Sequence, residues 1–429
     1  MDRNKLLQVL SDQMEDLDIN AIPHLCHRRE EELVDLDSRL AQIVIGVRRC
    51  GKSTLCKNVL SRANVKFGYV NFDDERLSEL TTEDLDDVLM TLYQMYGEID
   101  YFFFDEIQNV RNWELFVNRL LRQQKHLLIT GSNSRLLADD LATHLTGRHH
   151  KIELLPFSFS EYCDYNGVKT EPRTTKNLGL LARAFDHYFQ SGGMPELLTE
   201  TDSKAYIDAL FESIVQQDIK RRFNVRNIES LRLLARHLLN VSPAIVRRAE
   251  LCKILDIKSQ ATVANYLSYL AQAYLTLPLT KFSNKSSERI QGEKVYAIDV
   301  AMMNQRQEAF VGDNLGWRLE TIVYLELRRR MRYASQDIYY YATPKTECDF
   351  LTAEGNRVTG IYQVCYDMSK EKTRRREIAG CVSAAQATNC TEATIITLAH
   401  SETITLKGII IRCVPAYEWL LEDFKHKVQ

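Results

Sequence analysis

Glycine and proline are scarce in this chain, at 17 and 8 of 429 residues. That leaves little material for long flexible linkers, so its domains are expected to be closely joined. None of the ten cysteines stands in a C-x-x-C pair, which excludes a zinc knuckle and a thioredoxin-type motif. No stretch approaches the ~18 uninterrupted apolar residues of a membrane span, so no membrane partner is expected. The opening MDRNKLLQVLSDQMEDLD carries charges throughout and lacks the apolar core of a signal peptide. The expected setting is a reducing cytoplasm. An excess of one charge is also missing, because 55 Lys+Arg against 58 Asp+Glu leave a formal net charge of −3. A disordered, a collagen-like or a uniformly basic chain is thereby excluded. No internal repeat or low-complexity tract is present.

A hydrophobic content of 45% is ordinary for a globular protein, and at about 150 residues per domain the length allows two to four of them. The near-neutral total hides local asymmetry. Asn71–Val110 holds twelve acidic residues against one basic, Arg76, whereas Phe211–Glu250 holds eight basic against four acidic. Arg328-Arg329-Arg330 and Arg374-Arg375-Arg376 add shorter basic clusters, and patches of this kind are what a partner feels.

The apolar runs AQIVIG (41–46), FGYVNFDD (67–74), YFFFDE (101–106), HLLITGSN (126–133) and KIELLPFSF (151–159) have buried-strand composition and alternate with helical stretches. That alternation predicts a parallel, doubly wound sheet with ligands beyond the strand carboxyl ends. From Ser160 to about Asn227 the pattern is helical, broken at GGMPE (192–196). Residues 229–282 read as three short helices and an apolar ribbon, the outline of a winged helix. The remainder is mixed, with a helix at 315–332 and strands at IYYYA, CDFLTA and GIYQVCY.

The first strand runs into Gly46-Val47-Arg48-Arg49-Cys50-Gly51-Lys52-Ser53, a G-x-x-x-x-G-K-[ST] phosphate loop followed by Thr54. Its glycines let backbone N–H groups surround phosphate oxygens at the positive end of the next helix. Lys52 would neutralise the terminal phosphates of ATP, and the Ser53 hydroxyl would ligate Mg²⁺. Arg48 and Arg49 read as exposed or sheet-flanking. In YFFFDE, four aromatics bury a central strand that delivers Asp105 to the Mg²⁺ shell and Glu106 to the attacking water. A carboxylate after the metal ligand points to hydrolysis rather than transfer to a small acceptor.

These two motifs, with ITGSNSRLL (129–137), LTGR (145–148), ELLPFSFSEY (153–162), GGMPE, AIDV (297–300) and ECDF (347–350), resemble AAA+-type ATPases of bacteria and archaea. Those proteins carry a winged helix and a restriction-endonuclease-like C-terminal domain of unresolved function. The resemblance spans nearly the whole chain. It implies an α/β fold: a P-loop NTPase parallel sheet with helical lid, winged helix and C-terminal α/β endonuclease-like domain. The expected boundaries are an N-terminal helical segment at 1–35, the ATPase core at 36–159, the lid at 160–227, the winged helix at 228–285 and the endonuclease-like domain at 286–429.

The resemblance also assigns roles. Ser132 and Asn133 take the sensor position, where a short polar side chain suits either a turn or the orientation of water. Arg148 stands where such ATPases present an arginine finger to a neighbouring subunit, with Arg135 as the alternative, which brings in a homo-oligomer. In GGMPE, Pro195 would pack on adenine, although a plain helix-breaking turn explains the same residues equally well. Glu320, Asp349 and Gln363 resemble the acidic core of endonuclease-like folds, a possible second metal site. The usual E-x-K place reads Gln363-Val364-Cys365, lacking the last carboxylate and the lysine, so a fold retained for binding is expected over an active nuclease. Lys220, Arg221, Arg222, Arg226, Arg232, Arg236, Arg247 and Arg248 flank the helix–turn–helix outline and suit duplex DNA, a protein contact or a solvated helix face.

Overall fold

A computed structural model describes residues 2–17, 26–132, 147–283, 292–304 and 315–422. They form two compact units, 1–154 with 272–274, and 155–271 with 275–429.

The first unit is built on five parallel strands: β1 (Ala41–Ile45), β2 (Phe67–Asn71), β3 (Tyr101–Asp105), β4 (His126–Gly131) and β5 (His149–Glu153). Their order is β2-β3-β4-β1-β5. Four helices accompany them, α1 (Arg3–Glu15), α2 (Lys52–Ala63), α3 (Leu85–Tyr96) and α4 (Trp113–Arg122), with a short 3-10 helix at Arg29–Leu33. Phe102, Phe103 and Phe104 are fully buried, because β3 is flanked by strands on both edges and covered on both faces. The parallel sheet expected from the apolar runs is thus present. Its last strand ends at Glu153 rather than near Phe159, because Pro156 lacks the N–H a strand needs and Ser158 caps the next helix in a capping box with Glu161.

That helix, α5 (Phe159–Tyr165), opens the second unit and is followed by α6 (Thr175–Ser191) and α7 (Ser203–Ser213), which runs on as a π-helical stretch to Lys220. Next come α8 (Ile228–Val241), β6 (Ala244–Val246), α9 (Arg248–Ile254), α10 (Gln260–Gln272), β7 (Thr276–Leu279) and β8 (Glu293–Ala297). Three of these make an antiparallel sheet in the order β6-β8-β7. β8 therefore completes a sheet that the ribbon boundary at 285 would have cut. The rest comprises α11 (Leu315–Ala334), β9 (Asp337–Ala342), β10 (Glu347–Glu354), β11 (Arg357–Cys365), α12 (Glu371–Thr388), β12 (Glu392–Thr397), β13 (Glu402–Leu406), β14 (Ile409–Pro415) and α13 (Ala416–Leu420). Its six strands form a mixed sheet, β13-β14-β12-β11-β10-β9. α12 lies so close to β10 that a Cβ on Gly380 would stand 2.2 Å from the Glu347 carbonyl oxygen. None of the described helices is long and apolar enough to cross a membrane.

Candidate nucleotide site

The loop between β1 and α2 is shaped by its glycines and held from below. A Cβ on Gly46 would lie 2.1 Å from the Leu154 carbonyl oxygen, so only glycine allows the chain to leave β1 along this path. Arg49 and Gly51 both have positive φ, 65° and 96°, which turns the local backbone amides inward ahead of α2. Lys52 is buried, with Nζ 3.3 Å from the Gly46 carbonyl, 3.2 Å from that of Val47 and 3.7 Å from Glu106 Oε1. Cys50 and Val47 are buried against the sheet, whereas Arg48 is half-buried near Asp73 at 3.6 Å, and Arg49 is exposed. Ser53 and Thr54 stand half-buried in the first turn of α2.

β3 lies one strand away from β1, and β4 fills the gap with polar groups. The Ser53 hydroxyl donates to Asp105 Oδ1 at 3.0 Å, and the Thr130 hydroxyl donates to the same oxygen. The Glu106 N–H in turn donates to Thr130 Oγ1 at 3.2 Å. Asp105 is buried, and burial followed by the neighbouring Glu106 raises its pKa, against the hydroxyl bonds and Lys52. This under-compensated carboxylate beside a serine hydroxyl is an all-oxygen donor set of the kind Mg²⁺ takes. Glu106 sits at φ 53°, a left-handed conformation that points its side chain away from that of Asp105. Its carboxylate accepts from Gln108 and, at 3.3 Å, from the Ser132 N–H. Ser132 is thus joined to the acidic pair, while Asn133 and Arg135 lie outside the described residues. Arg148 is exposed, and its side chain has no partner among the described residues.

Two contributors carry no motif. Arg28, buried ahead of β1, donates to the Cys50 carbonyl at 3.0 Å. Glu31 accepts from the Arg28 N–H (3.0 Å), Asn58 of α2 (2.7 Å) and Arg62 (2.9 Å), so the segment before the sheet clamps loop and helix together. Thr130 is the other. Its only local signal was a hydroxyl at the end of a continuous apolar strand.

The remaining expected residues lie in the second unit. Gly192 and Gly193 are explained by packing there. A Cβ on Gly192 would meet Asp299 Oδ1 at 1.8 Å, and one on Gly193 the Phe157 carbonyl oxygen at 2.3 Å. The Gly193 N–H donates to Asp299 Oδ2 at 2.8 Å, and Asp299, buried, has its pKa raised to about 6 by that burial. GGMPE and AIDV are therefore two halves of one contact. Pro195 is half-buried and belongs to this second unit.

Glu320, Asp349 and Gln363 do come together. Gln363 Nε2 donates to Asp349 Oδ2 (2.8 Å) and to Glu377 of α12 (2.7 Å), and the Asp349 N–H donates to Gln363 Oε1 (3.1 Å). The group between the carboxylates is an ammonium: buried Lys294 of β8 places Nζ 2.7 Å from Glu320, 3.0 Å from Glu347 and 3.5 Å from Asp349. Burial lowers the Lys294 pKa, but Glu320, Asp349 and Glu347 outweigh it and hold the group charged. Burial and Glu320 push Asp349 up to about 7 despite Lys294. Among the described residues no set of three or more His, Cys, Asp or Glu side chains is placed to hold a metal ion. The lysine absent from the E-x-K place thus has a counterpart from another strand, more than 50 residues earlier, which no local pattern could have revealed.

The basic clusters are largely neutralised within the unit. Arg329 and Arg330 are buried, one on the Pro156 carbonyl and the other on Glu326 (2.8 Å) and the Trp419 carbonyl (2.7 Å). Arg374, Arg375 and Arg376 pair with Glu402, Glu371 and Glu377. Of the eight cations around α8 and α9, Arg222, Arg232, Arg236 and Arg247 have carboxylate partners. The side chains of Lys220, Arg221, Arg226 and Arg248 have none among the described residues.

Residues 38–163 match the model of an AAA domain. An uncharacterized protein of Methanocaldococcus jannaschii is 31% identical over 399 residues, covering 89% of this chain and 88% of that protein. The chain belongs to that protein's family. A second member of similar reach, an uncharacterized protein of Haemophilus influenzae, is 26% identical over 346 residues, covering 77% and 84%. Residues 182–310 of this AAA-domain protein match a domain of unknown function. Among solved structures, a Walker-type ATPase of Pyrococcus abyssi aligns at TM-score 0.39 and 14% identity, over 65% of this chain and 95% of that one.

Proposed function

We propose that this AAA-domain protein binds and hydrolyses ATP with Mg²⁺ and couples turnover to engagement of DNA or a protein partner. The observation that carries the reading is the joint placement of Lys52, Ser53, Asp105 and Glu106 at the carboxyl ends of β1 and β3. Lys52 would move from loop carbonyls and Glu106 onto the terminal phosphates, freeing the Glu106 carboxylate to orient water. Ser53 and Asp105 would hold Mg²⁺, which screens the phosphate charge when bound. Gly46 through Thr54 would supply the cradle. Ser132, and Asn133 beyond it, would sense the terminal phosphate through Glu106. Exposed Arg148 would serve as a finger in a homo-oligomer. Pro195 would pack on adenine, with 160–227 as the helical lid.

The order helix, strand, helix, helix, strand, strand from α8 to β8 supports a winged-helix reading of 228–285 extended through β8. The four unpartnered cations beside it would meet DNA phosphates. The mixed sheet with Glu320, Asp349 and Gln363 supports an endonuclease-like fold for the C-terminal part of the 286–429 segment. Lys294 standing among its carboxylates favours a retained fold over an ATP-dependent nuclease. Steady-state ATP hydrolysis tests the main reading. Wild type turns over, Lys52→Ala loses ATP binding, and Glu106→Gln binds ATP with a rate lower by about 10²–10³-fold. A Glu106→Gln rate equal to wild type would remove Glu106 from the chemistry. Metal-dependent DNA cleavage that disappears in Asp349→Ala would instead establish the nuclease reading.

A further inference from the structure

α5, the turn after it and the outer face of α6 enclose an open cleft of about 610 Å³ in the second unit. Its walls include Tyr162, Val168, Leu180 and Ala184, a largely apolar floor on which Leu180 is 45% exposed. Lys176, Leu180, Arg183, Ala184 and His187 follow one another at spacings of four, three, one and three, which places them on a single face of α6. Lys169 comes from the turn opposite. Among the described residues no acidic side chain lines the cleft.

The cations here differ from those in the basic clusters already described. The side chains of Lys169, Lys176, Arg183 and His187 make no ion pair or hydrogen bond among the described residues. Of the nearby acids, Glu161 caps Ser158 and Glu171 pairs with Arg173 at 3.5 Å, while Asp164 and Asp186 are exposed and do not line the cleft. Three permanent positive charges and an imidazole around one concavity repel one another and attract an anion. Asn166 and Asn177 supply the complementary polarity. Their NH₂ groups are held by the carbonyls of Tyr162 and Pro172, each at 2.8 Å, which leaves their side-chain oxygens as acceptors.

We infer that this cleft is a second ligand site, for a phosphorylated small molecule of nucleotide size. A phosphate carries about −1.5 to −2 charge and three acceptor oxygens, enough to engage the three cations, whereas a carboxylate offers two oxygens and one charge. The volume lies within the roughly 300–1,000 Å³ of small-molecule pockets. The apolar floor takes a planar base, and the two amide oxygens take sugar hydroxyl or base amino donors. The site shares no residue with the phosphate loop and stands whether or not that loop hydrolyses ATP.

The test uses the full chain carrying Lys52→Ala, with AMP bearing a fluorescent N-methylanthraniloyl group as probe. Saturable one-to-one binding is expected. Adding Lys176→Glu and Arg183→Glu weakens it by at least about tenfold, or roughly 1.4 kcal/mol. The same charge reversal at Lys220 and Arg221 leaves it unchanged. Leu180→Asp weakens the probe more than it weakens inorganic phosphate measured by competition, which separates nucleotide recognition from a bare phosphate site. Lys176, Arg183, Lys220 and Arg221 are charged and exposed, and Leu180 is exposed, so a melting temperature equal to that of the Lys52→Ala chain verifies folding. No binding at millimolar probe, equal losses in the two double variants, or a probe no tighter than phosphate would each overturn the inference.

Discussion

Lys294→Met tests the internal-cation reading of the C-terminal cluster. The substitution keeps the stem's length and removes one buried positive charge from between Glu320, Glu347 and Asp349. The other groups facing this position are the Tyr296 hydroxyl, 2.8 Å from Glu320, then Gln363, Glu377 and its partner Arg376, none of which can take the ammonium's place. Leaving buried carboxylates without their cation costs about 3–5 kcal/mol. The cost depends on pH in a definite direction. An unfolded Asp titrates near 3.9, while Asp349 in the folded chain titrates at about 7, so the folded state holds this proton more tightly across that window. Stability therefore falls as pH rises from about 4 to about 7, even in wild type. Lys294, with its pKa held up by the same carboxylates, contributes stability throughout this range, and loses it as pH rises from the ordinary lysine value through its own raised one. In Lys294→Met no cation compensates the ionised Asp349 carboxylate, which burial and Glu320 disfavour, so the penalty deepens as pH rises. Urea unfolding of the second unit is the assay, with Trp317 and Trp419 as fluorescent reporters. The gap between variant and wild type is expected below about 2 kcal/mol near pH 5, where Asp349 holds its proton, and about 3–5 kcal/mol near pH 8. Adding Glu320→Gln and Asp349→Asn to Lys294→Met recovers most of the loss. Equal gaps at the two pH values would refute the electrostatic account, and a negligible gap at both would show that the ammonium does not stabilise the cluster.

Asp105→Asn keeps an acceptor for Ser53 and Thr130 while removing a buried charge, so the nucleotide-free protein gains about 1 kcal/mol in urea near pH 8, and Mg²⁺-dependent ATP hydrolysis is lost. Gly193→Ala forces a methyl to within 2.3 Å of the Phe157 carbonyl oxygen and is expected to cost about 2–3 kcal/mol or more in thermal or urea unfolding. Pro195→Ala, half-buried, leaves stability within about 0.5 kcal/mol, and any change it makes in the KM for ATP reports contact with adenine. All ten cysteines are free, and only Cys252 and Cys390 are more than marginally accessible. An aromatic disulfide reagent should therefore label two thiols quickly and the other eight at the rate of unfolding, with Cys50 slow because burial raises its pKa.

Much of the first unit could be read from local pattern. G-x-x-x-x-G-K-S requires a strand before it and a helix after it. An aromatic strand ending in Asp-Glu can only be central, with its acids at the carboxyl end. What pattern could not convey was the strand order. β4 separates β1 from β3, and so Thr130 and Ser132 become the bridge between Ser53, Asp105 and Glu106. Arg28 stayed silent for a similar reason: its side chain reaches a backbone carbonyl 22 residues away. GGMPE was legible as a tight place, yet only packing identified the neighbour as Asp299 rather than a ligand.

The second unit shows the boundary between the two kinds of information. Sequence alone showed that positive charge gathers in runs, and only by resemblance did it mark Glu320, Asp349 and Gln363 as an incomplete carboxylate set. Tertiary structure decided what became of both. It brought Lys294 from β8 among those carboxylates, paired half of the cations near α8 and α9, and gathered Lys169, Lys176 and Arg183, without partners among the described residues, around a cleft that no charge count had singled out. A charge's effect depends on the distance to its counter-charge and on the water excluded between them, and folding sets both by joining residues far apart along the chain.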